Sequence, residues 1–115
     1  MYKFKHKPLL YYGFFLMQIL SFGPTPAFTF PLEYIIQFLP QNPVILDAGA
    51  YDGADTVKFA TQIQGCTVYS FEPVPELFLK LKEATTYLPN TKCFQYALSD
   101  TNGIANFYVS SGSSN

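Results

Sequence analysis

The chain has 115 residues, of which 49% are hydrophobic and 13% charged, and its formal net charge is −1. It contains no arginine, and no basic stripe interleaves with the aromatic residues after Lys7, which argues against nucleic-acid binding. Cys66 and Cys93 lack metal-ligand spacing and His6 is the sole histidine, so we expect two core thiols and no metal site. The length is short for an open α/β catalytic domain.

The first segment, residues 1–27, is basic and then apolar. Three lysines fall within the first seven residues, and the apolar run 8–22 covers 15 residues, which is shorter than the ~20 needed to span a bilayer. Three interpretations stay open: an uncleaved anchor on the cytoplasmic face of a membrane, a helix packed on the domain, or a cleaved signal peptide. The lysines favour a cytoplasmic location, with membrane contact through residues 8–22.

Residues 28–43 are expected to form a proline-rich linker followed by a short helix. Six of the nine prolines lie at or before Pro43, and a boundary is predicted near Ala27. Apolar residues then recur with the spacing of one helical face, at Leu32, Ile35, Ile36 and Leu39. Pro40 ends this predicted helix, which we expect to cover the sheet.

Residues 44–115 contain the pattern of a Rossmann-like unit. The apolar run 44–46 predicts a strand covered on both faces, and the glycines that follow it predict a turn into a helix. Asp52 or Asp55 is suited to cap that helix. A second strand is predicted at 67–71, and Pro75 begins a second helix in its first turn.

The third predicted strand covers residues 91–98. The dipeptide Asn102-Gly103 separates it from the apolar run 104–109, which favours a hairpin because both residues readily adopt positive φ. We therefore predict a fourth strand paired with the third and a flexible tail at 110–115. The predicted fold class is α/β, a truncated Rossmann-like fold with three strands, a hairpin strand and an apolar N-terminal helix.

Two carboxylates end the first two predicted strands, and this is the layout that a nucleoside-bearing cofactor needs. Asp47 follows the first strand and Gly49 lets the backbone approach a ligand, while Glu72 follows the second strand. The two oxygens of Glu72 can accept hydrogen bonds from the two ribose hydroxyls. Asp47 is suited to the amino-acid portion of a ligand, directly or through water.

The turn favours S-adenosylmethionine over a nicotinamide dinucleotide. A dinucleotide needs G-x-G-x-x-G beside its pyrophosphate, whereas Tyr51 stands here where a small residue is expected and Asp52 adds negative charge. S-Adenosylmethionine carries no phosphate and has a cationic end that acids attract. Tyr51 is expected beside the ligand, and Asp100, after the third strand, near the adenine edge. Asp100 also has a structural interpretation, as the residue that opens a turn.

Three blocks in this order resemble the opening motifs of the FkbM-like methyltransferases: residues 47–56, residues 71–73, and residues 97–100 followed by Gly103. The resemblance extends over about residues 43–108. It implies a class I fold that uses S-adenosylmethionine to methylate a hydroxyl, commonly on a sugar or a secondary metabolite. It also implies cofactor contacts at Asp47, Gly49, Gly53 and Glu72, and less securely at Asp100.

Members of this family continue into a later acidic motif and further strands that complete the acceptor site. That departure predicts that the 115-residue chain is the N-terminal half of an O-methyltransferase and is inactive by itself. The acceptor is expected to be a small molecule or a glycan, and no catalytic residue is assigned. The alternative is a truncated or decayed chain that acts at most as a small membrane-associated protein.

Overall fold

The structure is a computed structural model that describes residues 2–5 and 31–109. The described elements are, in chain order, β1 (Tyr2–Lys5), α1 (Leu32–Ile36), β2 (Val44–Ala48), α2 (Ala54–Gln62), β3 (Thr67–Phe71), α3 (Pro75–Ala84), β4 (Thr91–Phe94) and β5 (Ile104–Phe107). The apolar run 8–22, residues 28–30 at the start of the proline-rich segment and the tail 110–115 lie outside the described residues. Among the described helices, none has the length and apolar character needed to cross a bilayer.

The centre of the fold is a parallel sheet with strand order β2-β3-β4. Its register places Ile45 beside Val68 and Asp47 beside Ser70, so these four residues share one face. Helix α2 connects β2 to β3 and α3 connects β3 to β4, and both helices contact the sheet and each other on that same face. The predicted α/β class and its three parallel strands are therefore confirmed.

The hydrophobic core lies between the sheet and its helices. Its buried members come from α1, β2, the end of α2 and β3: Leu32, Ile45, Ile63, Cys66 and Val68. The predicted short helix before the sheet is present and buries Leu32, although it ends at Ile36. Both cysteines of the described region are free, and burial raises the pKa of the Cys66 thiol. Cys66 is therefore an inert packing residue.

The two larger helices begin where their sequences predict, but the prediction that Asp52 or Asp55 caps α2 is wrong, because Gly53 occupies the N-cap position. Gly53 is the N-cap of α2, and Asp52 accepts a hydrogen bond from the main-chain N–H of Ala54 at 3.1 Å. Pro75 occupies the first turn of α3, where its missing N–H would have had no intrahelical partner. Leu81 of α3 is completely buried. Leu81 lies close to Gly53, and α3 therefore packs against the N-terminus of α2.

The predicted hairpin is wrong. β4 ends at Phe94 rather than at residue 98, and β5 pairs with β1 as an antiparallel ribbon instead of with β4. A two-residue hairpin turn of the predicted type needs positive φ at both central residues, and neither Asn102 nor Gly103 has it. A turn of that type is therefore absent at Asn102-Gly103, and residues 2–5 of the basic N-terminal segment supply the partner strand of β5.

Gly53 gives a test of the packing between α2 and α3. It has φ +90°, and a Cβ there would lie 3.1 Å from Leu81 Cδ1 and 3.3 Å from Leu81 Cα. Gly49 has φ +79°, but a Cβ on it would meet no atom within 4 Å. Both Gly→Ala substitutions should lower the free energy of unfolding by about 1 to 2 kcal/mol through the left-handed backbone.

Gly53→Ala should cost more than Gly49→Ala, because Leu81 is fully buried and its backbone has little room to move. Urea denaturation of the two variants measures this difference. Equal losses of stability would show that the close approach of Gly53 to α3 contributes nothing.

Candidate functional site

The carboxyl ends of β2 and β3 meet at one edge of the sheet, and Asp47 and Glu72 both lie there. The turn after β2 is hydrogen-bonded to β3. The main-chain N–H groups of Gly49 and Ala50 both donate to the carbonyl of Phe71, at 2.9 and 3.0 Å. Asp47 and Glu72 are each only 4% exposed. The structure thus brings together the two acids and the glycine that the sequence singles out.

Glu72 connects this turn to the start of α3. Its Oε2 accepts the main-chain N–H of Tyr51 at 2.9 Å, and its Oε1 accepts the main-chain N–H of Val74 at 2.8 Å. The main-chain N–H of Glu72 itself donates to the carbonyl of Phe94 in β4, at 3.1 Å. Each carboxylate oxygen keeps further acceptor capacity after these bonds. Glu72 therefore has a structural role in addition to the ligand contact predicted from the sequence.

Asp47 is bonded to the helix that follows it. The hydroxyl of Thr56, in the first turn of α2, donates to Asp47 Oδ2 at 2.6 Å. The Thr56 hydroxyl also lies 2.8 Å from the Ser70 hydroxyl on β3. Within the described residues, no hydrogen bond reaches the other oxygen, Oδ1. Asp47 Oδ1 is thus a buried carboxylate oxygen that accepts no hydrogen bond from the part of the chain that the structure describes.

Burial raises the pKa of Asp47 above its usual range. The hydrogen bond from Thr56 acts in the opposite direction, while the negative charges of Asp55 and Glu72 raise the pKa further. The folded chain therefore holds an acid whose charged form is disfavoured by its surroundings. Perturbed acids of this kind concentrate at functional sites.

Two residues of the turn have left-handed backbone conformations. Gly49 has φ +79° and open space in the direction of an added Cβ, which is the geometry of a backbone that a ligand can approach. Tyr51 has φ +54°, an unusual conformation for an aromatic residue, and its side chain is 60% exposed. The bond from its N–H to Glu72 holds it in that conformation, and strain of this sort is typical of ligand-binding turns.

Two other candidates lie apart from this group. Gly53 is buried where the N-terminus of α2 meets α3, so its observed contacts are those of helix packing. Asp100 lies on an exposed segment after β4, and its hydrogen bond within the described residues comes from the neighbouring Ser99 hydroxyl at 3.2 Å. No observed contact joins Asp100 to the acids at the strand ends.

Thr56 and Ser70 belong to the site but were not singled out from the sequence. Ser70 is a polar residue inside an otherwise buried strand, and Thr56 is on the inward face of α2; both are completely buried. A buried hydroxyl needs a hydrogen-bonding partner. A serine within a predicted buried strand and a threonine on the inward face of a predicted helix could therefore have indicated a polar contact. Residues 2–5 and 31–109 contain no group of three or more His, Cys, Asp or Glu side chains that could hold a metal ion.

The strand order, the helices that connect the strands and the acids at adjacent strand ends are those of a Rossmann-like α/β fold. Residues 47–115 match the sequence model of the methyltransferase FkbM domain, which is more than half of the chain. The chain belongs to the FkbM methyltransferase family.

A curated relative and a solved structure resemble this chain. The relative is the 2-O-methyltransferase NoeI of Sinorhizobium fredii, which is 30% identical over 89 residues. The match covers 77% of this chain and 37% of NoeI, so the chain spans little more than a third of the relative. The solved structure is described as an rRNA-methylase from Clostridium thermocellum, with 19% identity and a TM-score of 0.49, over 56% of this chain and 37% of that one.

The raised pKa of Asp47 predicts how the stability of the folded chain depends on pH. A folded-state pKa above the unfolded value of about 3.8 means that the folded chain binds a proton more tightly than the unfolded chain. The contribution of Asp47 to stability is therefore fully present below pH 3.8 and is lost as the pH rises through the folded-state pKa.

Asp47→Asn, which cannot ionise, should raise the free energy of unfolding at pH 7 relative to the wild type. The difference should shrink as the pH falls towards 3.8, because Asp47 then becomes neutral as well. Urea denaturation of both proteins across this pH range measures it. A wild type that is more stable than the variant at neutral pH would contradict the prediction.

Proposed function

We propose that this chain binds S-adenosylmethionine and is the cofactor-binding part of an O-methyltransferase. The observation that carries the proposal is the pairing of two buried acids, Asp47 and Glu72, at adjacent strand ends and on either side of a turn with open space at Gly49. This is the edge at which open α/β sheets bind nucleosides. When bound, S-adenosylmethionine supplies an electrophilic methyl group on a sulfonium.

The donor and acceptor atoms at this edge fit that molecule. Asp47 Oδ1 accepts no hydrogen bond within the described residues, so it is available to the ammonium group or to a water bound to it. The remaining lone pairs of Glu72 suit the two hydroxyls of a ribose. Gly49 leaves room for the ligand beside the backbone, and the exposed ring of Tyr51 lies on the same turn.

The same turn is poorly suited to the pyrophosphate of a nicotinamide dinucleotide. Phosphate cradles use unpaired main-chain N–H groups, but most of those here already donate to protein acceptors. The engaged groups are the N–H of Gly49, Ala50, Tyr51, Gly53 and Ala54. Asp52 adds a negative charge to the turn. These contacts favour S-adenosylmethionine, a nucleoside without phosphate, over a nicotinamide dinucleotide.

The acceptor and the cellular setting are finer parts of this proposal. The name of the relative NoeI specifies O-methylation, which supports a hydroxyl acceptor on a small molecule, a sugar or a secondary metabolite. A cytoplasmic location follows from the cofactor, which is made inside cells. Membrane contact through residues 8–22 stays a prediction that lies outside the described residues. The alternative of a non-enzymatic, membrane-associated chain predicts that no cofactor binds.

Calorimetry with S-adenosylhomocysteine and with NAD tests the cofactor class. We expect S-adenosylhomocysteine to bind and NAD not to bind. Glu72→Gln should weaken S-adenosylhomocysteine by about 1.5 to 3 kcal/mol, the value of a hydrogen bond to a charged group. Glu83→Gln removes an exposed carboxylate from the end of α3 and is the matched control, for which affinity should not change.

Because Glu72 also holds Tyr51 and Val74, its substitution needs a readout specific to the ribose. The 2′-deoxyribose form of S-adenosylhomocysteine should bind the wild type more weakly than the parent compound. In Glu72→Gln the two compounds should bind more nearly alike, since the acceptor of the hydroxyl has changed. The same penalty for the missing hydroxyl in both proteins would exclude a ribose contact at Glu72.

The 115 residues by themselves should bind the cofactor without transferring methyl groups at the rate of an intact enzyme. Methyl transfer requires an acceptor oxygen aligned behind the sulfonium methyl, and the residues that achieve this are not assigned within the chain. Release of S-adenosylhomocysteine in the presence of hydroxyl-bearing glycans measures turnover. Turnover of about 1 s⁻¹ or more, which is within the ordinary range for enzymes, would refute the prediction.

A further inference from the structure

Two buried hydroxyls connect the acid of β2 to the neighbouring strand. Asp47, Thr56 and Ser70 belong to β2, α2 and β3, and the two contacts between them measure 2.6 and 2.8 Å. Thr56 and Ser70 are both 0% exposed. The register places Asp47 directly opposite Ser70, and the Thr56 hydroxyl contacts both residues. Three separate elements thus meet in one buried polar contact.

The chemistry of hydroxyl groups gives this contact a direction. An ionised carboxylate accepts hydrogen bonds and donates none, so the hydrogen of the Thr56 hydroxyl points at Asp47. A hydroxyl has a single hydrogen, and Ser70 must then donate to Thr56. Hydrogen bonds arranged in series in this way polarise one another. The series Ser70 to Thr56 to Asp47 therefore favours the charged state of the acid.

Within residues 31–109, the bond from Thr56 is the one resolved interaction that favours the charged form of Asp47. Asp55 on α2 and Glu72 at the end of β3 are both negative and act against ionisation, as does burial. The bond from Thr56 is the interaction that opposes them. It occupies Oδ2 and leaves Oδ1 without a partner among the described residues.

We propose that Thr56 and Ser70 are positioning residues that hold the carboxylate of Asp47 in one orientation, with Oδ1 available to a cationic group of the ligand. This inference rests on the proposed function, because the ligand in question is the ammonium end of S-adenosylmethionine. The two hydroxyls do not touch the ligand. They act through Asp47, and their removal should change its protonation before any ligand is added.

The first experiment follows the ¹³C carboxyl signal of Asp47 against pH in the ligand-free chain. Thr56→Val keeps the shape of the side chain but removes the donor, so the pKa of Asp47 should rise further. Thr56→Ser keeps the hydroxyl and should restore the wild-type value. Thr61→Val is the control, because this exposed threonine of α2 bonds to the carbonyl of Val57 and has no contact with Asp47.

Ser70→Ala tests the second hydroxyl and guards against a folding failure of Thr56→Val. It should also raise the pKa of Asp47, by less than Thr56→Val does, because Thr56 still donates to the acid. If Thr56→Val does not fold, the comparison of Ser70→Ala with the wild type decides the outcome. An Asp47 pKa unchanged in whichever of these variants folds would overturn the inference.

The second experiment measures S-adenosylhomocysteine binding by calorimetry between acidic and neutral pH. Thr56→Val should bind about tenfold more weakly at neutral pH, and the midpoint of its pH dependence should move upward. Thr56→Ser and Thr61→Val should bind like the wild type. Equal affinity and an equal midpoint in Thr56→Val would contradict the positioning role.

The two experiments separate this inference from the proposed function. If the wild type does not bind S-adenosylhomocysteine, the proposed function fails, while the ligand-free titration still reports whether the hydroxyls control Asp47. If the wild type binds and the titration shows no effect of Thr56 or Ser70, the inference alone fails.

Discussion

The candidate site depends on the carboxylate of Glu72, whose two oxygens hold the main-chain N–H groups of Tyr51 and Val74. A single buried side chain thereby fixes the turn after β2 and the approach to α3. The bonds are short and charge-assisted, and hydrogen bonds of this kind are the stronger ones in proteins. They keep Tyr51 in a left-handed conformation that an aromatic residue rarely adopts.

The edge of the sheet carries two acids that are held in different ways. Glu72 is satisfied by main-chain donors, whereas Asp47 is supported by hydroxyl side chains and keeps one oxygen without a hydrogen bond in the described region. Burial of Asp47 raises its pKa, so the charged form of this acid costs the folded chain stability. Such a cost is typical of residues kept for binding rather than for folding.

Family membership and activity rest on different grounds. The match to the FkbM methyltransferase domain covers residues 47–115, which include the strand ends with both acids. The chain spans 37% of NoeI, so the activity and the acceptor of a whole enzyme are proposals for this chain. Cofactor binding is therefore the property that the observed geometry supports most directly, and the acceptor follows from resemblance.

The sequence by itself determined the parallel α/β core and the meeting of Asp47, Gly49 and Glu72, because strand periodicity and the rule that parallel strands end at one edge are local and general. Tertiary structure alone decided the rest. The Asn102-Gly103 dipeptide is compatible with a hairpin, but β5 pairs with β1, a strand about a hundred residues away in sequence, and local turn preference cannot anticipate such a partner.

In the same way, Thr56 and Ser70 entered the site because folding brings three separate elements into contact around one buried carboxylate. Their hydroxyls have no role that spacing along the chain reveals, since the need for a partner arises only once they are buried. For Gly53, the motif suggested a role in the site that its observed contacts do not show. Its place in the motif suggests a ligand contact, and its observed neighbours are the side chains of α3.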